Sequence, residues 1–144
     1  MTTTSVLSYL AVACSVLVAV QLIAAQSSSY ESTQALGNNA ATTMKKKASD
    51  SLSKISSEAA GLSKNDAIVN DATSKIEAAE KDGQAAIDSA VATAKSDYEQ
   101  AGADQTAVNA AGAKAETAIN AALAASVTSI NAATDAAITA IHAN

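Results

Sequence analysis

Residues 106–142 contain Thr106-Ala-Val-Asn109, Thr117-Ala-Ile-Asn120, Thr128-Ser-Ile-Asn131 and Thr139-Ala-Ile-His142, and each threonine follows the last by eleven residues. Eleven residues close three turns at ~3.67 residues per turn, near the natural pitch of an α-helix. Each repeat position therefore returns to the same side of a helical rod, at ~98° per residue. With Thr placed at zero, the Val/Ile position falls near ~196°, and Leu123, Val127 and Ile138 fall at ~229–262°. These residues make one bulky aliphatic seam. On the other side, Thr106, Thr117, Thr128 and Thr139 are flanked by Ala110, Ala121 and Ala132 four residues on, and by Ala113 and Ala124 seven residues on. The repeat thus predicts a helix with an aliphatic face to hide and a flat Thr/Ala face to show.

The same phase runs upstream in degraded form. Ser63, Ser74, Ala85 and Ser96 take the Thr place, Asp66, Glu77, Asp88 and Glu99 the Asn place, and Ile76, Ile87 and Tyr98 the Val/Ile place. The phase slips by one residue between Ser96 and Thr106, which are ten apart. The seam extends through Leu52, Ile55, Leu62, Val69, Ile76, Ile87, Val91 and Tyr98. Of the 41 residues from Asp104 to Asn144, 16 are Ala, the best helix former, so propensity supports the periodicity.

Two breaks divide the pattern. Gly61 suits a left-handed C-cap, and Ser63 with Asp66 resembles a capping box in which Asp stands for Glu. Gly102 with Asp104 marks a second turn at the phase slip. Gly83 and Gly112 keep register, so they are expected inside helices at a cost of ~1 kcal/mol each. The fold class is therefore all-α. Long alanine-rich helices over residues 63–101 and 104–143, each ~60 Å, are expected to form an antiparallel hairpin or small bundle with seams inward. A shorter helix over 40–60 would pack alongside, and residues 26–39 read as a flexible lead-in. A four-helix arrangement broken at Gly83 is the alternative. Since a two-helix rod is thin, self-association through the Ile/Leu/Val seam is also expected.

Val6 to Ala25 is apolar apart from Ser8, Tyr9, Ser15 and Gln21. It reads as a secretory signal over residues 1–25, with Ile23 and Ala25 at the −3 and −1 sites of a cut. A membrane helix is the alternative, since ~20 apolar residues span a bilayer. No basic cluster follows the segment until Lys45-Lys46-Lys47, which weakens a stop-transfer reading. The only cysteine, Cys14, lies inside it, so a cleaved product has neither disulfide nor thiolate metal site. The expected location is extracellular, with no membrane association after cleavage.

Composition narrows the function classes. The chain has 144 residues and a net charge of −5, with no Pro, Phe or Trp. Without Pro and with few Gly, a turn-rich β fold is excluded, and the acidic balance argues against nucleic-acid binding. The only histidine, His142, takes the Asn place of a repeat and reads as a drifted Asn. The acidic row on residues 66–99 is spaced ~16 Å, too far apart for paired carboxylate chemistry. No enzymatic constellation, cofactor or metal site is expected. Lys45-Lys46-Lys47 reads as a solubilising stretch.

The Thr-x-x-Asx-x7 pattern resembles the type I antifreeze proteins, the alanine-rich helical ice-binders of fish. The resemblance covers residues 106–142. In that family, Thr and Ala methyls form the ice-facing strip. The resemblance implies a strip here of Thr106, Thr117, Thr128 and Thr139 with Ala110, Ala113, Ala121, Ala124 and Ala132, and a partner that is ice or ordered water. Family members place Ala where this chain has Ile, Leu and Val, which implies a packed assembly of helices rather than a lone one. Two other readings stand beside it. One is a secreted structural or coiled-coil protein, in which the Thr row is a relic of segmental duplication. The other is a stress-protective or lipid-surface helix, since residues 106–116 loosely resemble the eleven-residue unit of group 3 late-embryogenesis-abundant proteins. Those proteins carry far more charge.

Overall fold

The computed structural model describes the backbone of residues 3–144 and the side chains of residues 26–144. The expected leader, residues 1–25, lies outside the described side chains. Three long helices follow one another: α1 (Thr3–Ala59), α2 (Asp66–Ala101) and α3 (Gln105–His142), with a short 3-10 turn, Ser63–Asn65, ahead of α2. The described residues contain no strand.

Each helix packs against the other two. Between α2 and α3 the contacts pair residues in opposite chain order: Lys114 meets Asp97, and Ser126 reaches Ala79. Between α1 and α3 they run in the same order, since Met44 and Ser126 flank one point of α2 and Glu58 meets His142 near the ends.

The eleven-residue period governs burial in all three helices. The most deeply buried row is Thr33, Met44 and Ile55 in α1, then Ile76, Ile87 and Tyr98 in α2, then Val108, Ile119, Ile130 and Ile141 in α3. Asn65 precedes Ile76 by eleven and is buried too. Both interhelix turns shorten the step to ten, from Ile55 to Asn65 and from Tyr98 to Val108. A second row is made of small residues: Gly37, Ala48 and Ala59; Ala72, Gly83 and Ala94; Ala115, Ser126 and Ala137. Small side chains let the helix backbones approach closely, so dispersion contacts replace the area that large side chains would bury.

Several expectations are corrected by this packing. Residues 26–39, expected as a flexible lead-in, are helical and packed: Thr33 is buried, Gly37 faces Val91, and Tyr30 meets the Tyr98 ring edge-on with centroids 6.3 Å apart. The buried places there are taken by Thr33 and Gly37, which hid a burial pattern that aliphatics would have advertised. The short helix expected over 40–60 is the C-terminal part of the longest helix. Leu62, placed on the seam, is 52% exposed, because it lies in the turn, where the helical period no longer applies. In α3 the seam itself is displaced. Leu123, Val127 and Ile138 are only half-buried, whereas Ala115, Ser126 and Ala137 are buried. The closest approach favours the small residues and leaves the bulky ones at the rim.

The two turns are built differently. At the first, Ala60 and Gly61 have φ of 48° and 69°, so Gly61 does occupy the left-handed region expected of it. The expected capping box does not form, because Ser63 falls inside the 3-10 turn and neither cap position carries a side-chain cap bond. Asn65 takes over as the fixed point: its Nδ2 donates to Ala59 O at 3.3 Å, and its Oδ1 accepts from Asn144 Nδ2 at 3.1 Å. At the second turn Gly102 has φ of 54°, and Asp104 Oδ1 accepts from the backbone N–H of Thr106 at 2.9 Å and of Ala107 at 3.2 Å. This N-cap satisfies two of the donors that open α3. Asp104→Ala is expected to lower stability by about 1 kcal/mol, read as an earlier midpoint in chemical denaturation. An unchanged midpoint would show that water replaces the carboxylate without loss. Helix α2 runs unbroken through Gly83, and α3 through Gly112.

Candidate functional site

The candidate site is the outer face of α3. The Asp104 cap sets where the helix starts, and the buried row Val108, Ile119, Ile130 and Ile141 sets its rotation. With that row turned inward, the Thr row at ~164° from it must face out. All nine residues of the strip, Thr106, Thr117, Thr128, Thr139, Ala110, Ala113, Ala121, Ala124 and Ala132, are exposed. The strip is therefore assembled along one element, with every member open to solvent.

The strip has local order. Thr117 Oγ1 donates to Ala113 O and Thr128 Oγ1 to Ala124 O, both at 2.9 Å. The same hydrogen bond at both positions gives the two threonines the same χ1 well, because β-branching leaves few rotamers in a helix. Their γ-methyls are therefore placed equivalently, ~16.5 Å apart along the axis. Asn109 and Asn120 are exposed and Asn131 is half-buried. From residue 117 to residue 144 the only full charge is Asp135. The outer surfaces of α1 and α2 differ in this respect. They carry exposed ion pairs such as Lys46–Asp50 and Lys75–Asp71, both at 2.7 Å. Such pairs contribute little to stability, but they keep those surfaces hydrated; the α3 strip carries less charge, although exposed Asp135 interrupts it at the place Ala113 and Ala124 hold in the earlier repeats.

The acidic row Asp66, Glu77, Asp88 and Glu99 is exposed along α2. His142 Nε2 lies 3.0 Å from Glu58 Oε2, tying the end of α3 to α1. Lys45 and Lys46 are exposed and Lys47 is half-buried. Among the described residues no group of His, Cys, Asp and Glu is placed to hold a metal ion, and no helix is long and apolar enough to cross a membrane.

Shallow grooves follow the line between α2 and α3. One is lined by Ala67, Ala72, Ala133, Ala136, Ala137 and Ala140 with Ile68, Asp71 and Lys75. Its neighbour is lined by Ala78, Ala79, Ala132, Ala133 and Ala136 with Lys75, Asp82 and Ser129. Ala132 thus belongs both to the Thr/Ala strip and to a groove wall. The alanines of α2 carry no such message in sequence, because their neighbours in space come from α3.

Comparison of the chain with protein-family models, with curated proteins and with solved structures finds no match.

Proposed function

We propose that the chain is a secreted, ice-binding protein that meets ordered water through the outer face of α3, on a scaffold of three helices arranged as an up-down-up bundle. The observation that carries the reading is the simultaneous exposure of four threonines and five alanines in one line at an eleven-residue period. A face of this kind has little to lose on contact with a lattice of water. Ala has no side-chain rotamers to immobilise, and Thr117 and Thr128 are already fixed by their bonds to the helix, so the entropic cost of binding is small. Aliphatics that would collapse a lone helix into aggregates are taken up by α1 and α2. The upstream repeats, with Ser or Ala in the Thr place, act as scaffold. Thr139 and His142 mark the end of the strip.

The test is a paired substitution. Thr117→Lys with Thr128→Lys is expected to abolish ice shaping and thermal hysteresis while leaving helicity intact, since both positions are exposed and Lys is a good helix former. Retained ice activity in the folded double variant would refute this assignment of the face.

The grooves between α2 and α3 favour one other reading, a secreted structural or coiled-coil component that assembles through its alanine-rich surface. Small residues at a helix surface suit close packing by another helix. On that reading the chain forms filaments or sediments as larger species as concentration rises, and the double lysine variant changes assembly rather than ice growth.

A further inference from the structure

The first described side chain of α1 makes a bond that bears on how the chain begins after processing. Gln26 Nε2 donates to Tyr98 O at 3.1 Å and also to Gly102 O. Gly102 caps α2, so its carbonyl is among those that a helix end leaves without an intrahelical donor, and Tyr98 O lies one turn before it. The Gln26 carboxamide thus closes the C-terminal end of α2 from across the α1–α2 boundary. The expected signal cut falls between Ala25 and Gln26.

We propose that Gln26 is an N-terminal modification site whose cyclisation the fold restrains. This rests on the secreted reading, and not on ice binding. Once exposed as the first residue, a glutamine can close on itself. The α-amine attacks Cδ, the N–Cδ bond forms, the Cδ–Nε2 bond breaks, and Nε2 leaves as ammonia with the proton released by the amine. No co-reactant is needed. The leaving atom is the one that holds Tyr98 O and Gly102 O. Ring closure therefore breaks both hydrogen bonds, and it requires the carboxamide to fold back on its own amine instead of reaching to α2. In the folded chain the open glutamine is retained, and the lactam forms when this end of the molecule opens.

The experiment uses the full chain with its own N-terminal segment, expressed in a secreting eukaryotic host. Intact mass and N-terminal sequencing define the first residue. The secreted protein is then held in mildly alkaline buffer, folded or in concentrated guanidinium chloride, and loss of one ammonia is followed by mass. The expected result is a chain that begins at Gln26 in the open form and cyclises about tenfold more slowly when folded than when denatured. Equal rates, or a chain already cyclised on secretion, overturn the restraint. A chain that retains residues 1–25, or begins elsewhere, overturns the site itself and separates failure of the secreted reading from failure of the restraint.

Discussion

Gly83→Ala is expected to destabilise the protein although it improves helix propensity. A Cβ at Gly83 would run into Met44 Sδ and lie 2.7 Å from both Cβ and Oγ of Ser126. The thioether is the far end of a flexible side chain and can swing away. The Ser126 Cβ is fixed to its backbone, so α2 and α3 must separate to admit the methyl group. Ser126 Oγ also donates to Ala79 O at 2.8 Å, and that bond is lost if the helices part. Propensity alone favours Ala by ~1 kcal/mol, whereas overpacking of this kind costs about 1–3 kcal/mol. The expected net change is a loss of about 1–2 kcal/mol for Ala, and more for Val, whose two extra methyl groups meet the same wall. Thermal or chemical denaturation measures it. Gly112 supplies the contrast: a Cβ there meets only the Tyr98 hydroxyl, at 3.0 Å, the tip of a side chain. Gly112→Ala is expected to be neutral or to stabilise by up to ~1 kcal/mol. If Gly83→Ala stabilised as much as Gly112→Ala, the close approach of Met44, Gly83 and Ser126 would be refuted.

The second large effect is expected at Ile119. It is fully buried, as is Ile130 eleven residues on, whereas Val127 is half-buried. Ile119→Ala removes three carbons from a site walled by two other helices, and the expected cost is about 2–5 kcal/mol. Val127→Ala removes rim atoms next to solvent, and the expected cost is below about 1 kcal/mol. Urea titrations of the two variants give the ratio directly. Equal costs would move the centre of packing toward the middle of the predicted aliphatic seam, between the Val/Ile position and Val127. The comparison matters for function because the rotation of α3 decides which residues face water. A rotation centred on Ile119 and the small-residue row leaves all nine members of the Thr/Ala strip outside. A rotation centred on Val127 would turn the Asn row toward α1 and tilt the strip.

The stability of this fold therefore depends on close approach more than on the size of its side chains. Burial at ~25 cal/mol per Å² gives little for each alanine. The polar links Thr33 with Tyr98 at 2.9 Å, Ser126 with Ala79, and Asn65 with Asn144 stand at both ends and in the middle of the helices. They fix register along rods whose repeats are otherwise nearly interchangeable. A chain with the same residue at each repeat has a tendency to slip by eleven, and a buried hydroxyl or amide left unpaired by such a slip costs about 1–3 kcal/mol.

The sequence by itself determined that the chain is helical, that α2 and α3 turn at Gly102 and Asp104, and which flank of α3 carries the threonines. These follow from propensity, turn residues and a single period, all of which act within a few residues of chain. Only the tertiary structure decided that residues 26–39 belong to the packed body, that Asn65 replaces the capping box, and that Gly83 is required rather than tolerated. It also turned Ala115, Ser126 and Ala137 inward ahead of Leu123, Val127 and Ile138. The reason is that an alanine, glycine or serine has no preference strong enough to declare its burial. Its environment is set by how near a neighbouring helix can come, and that distance depends on residues far away in the chain.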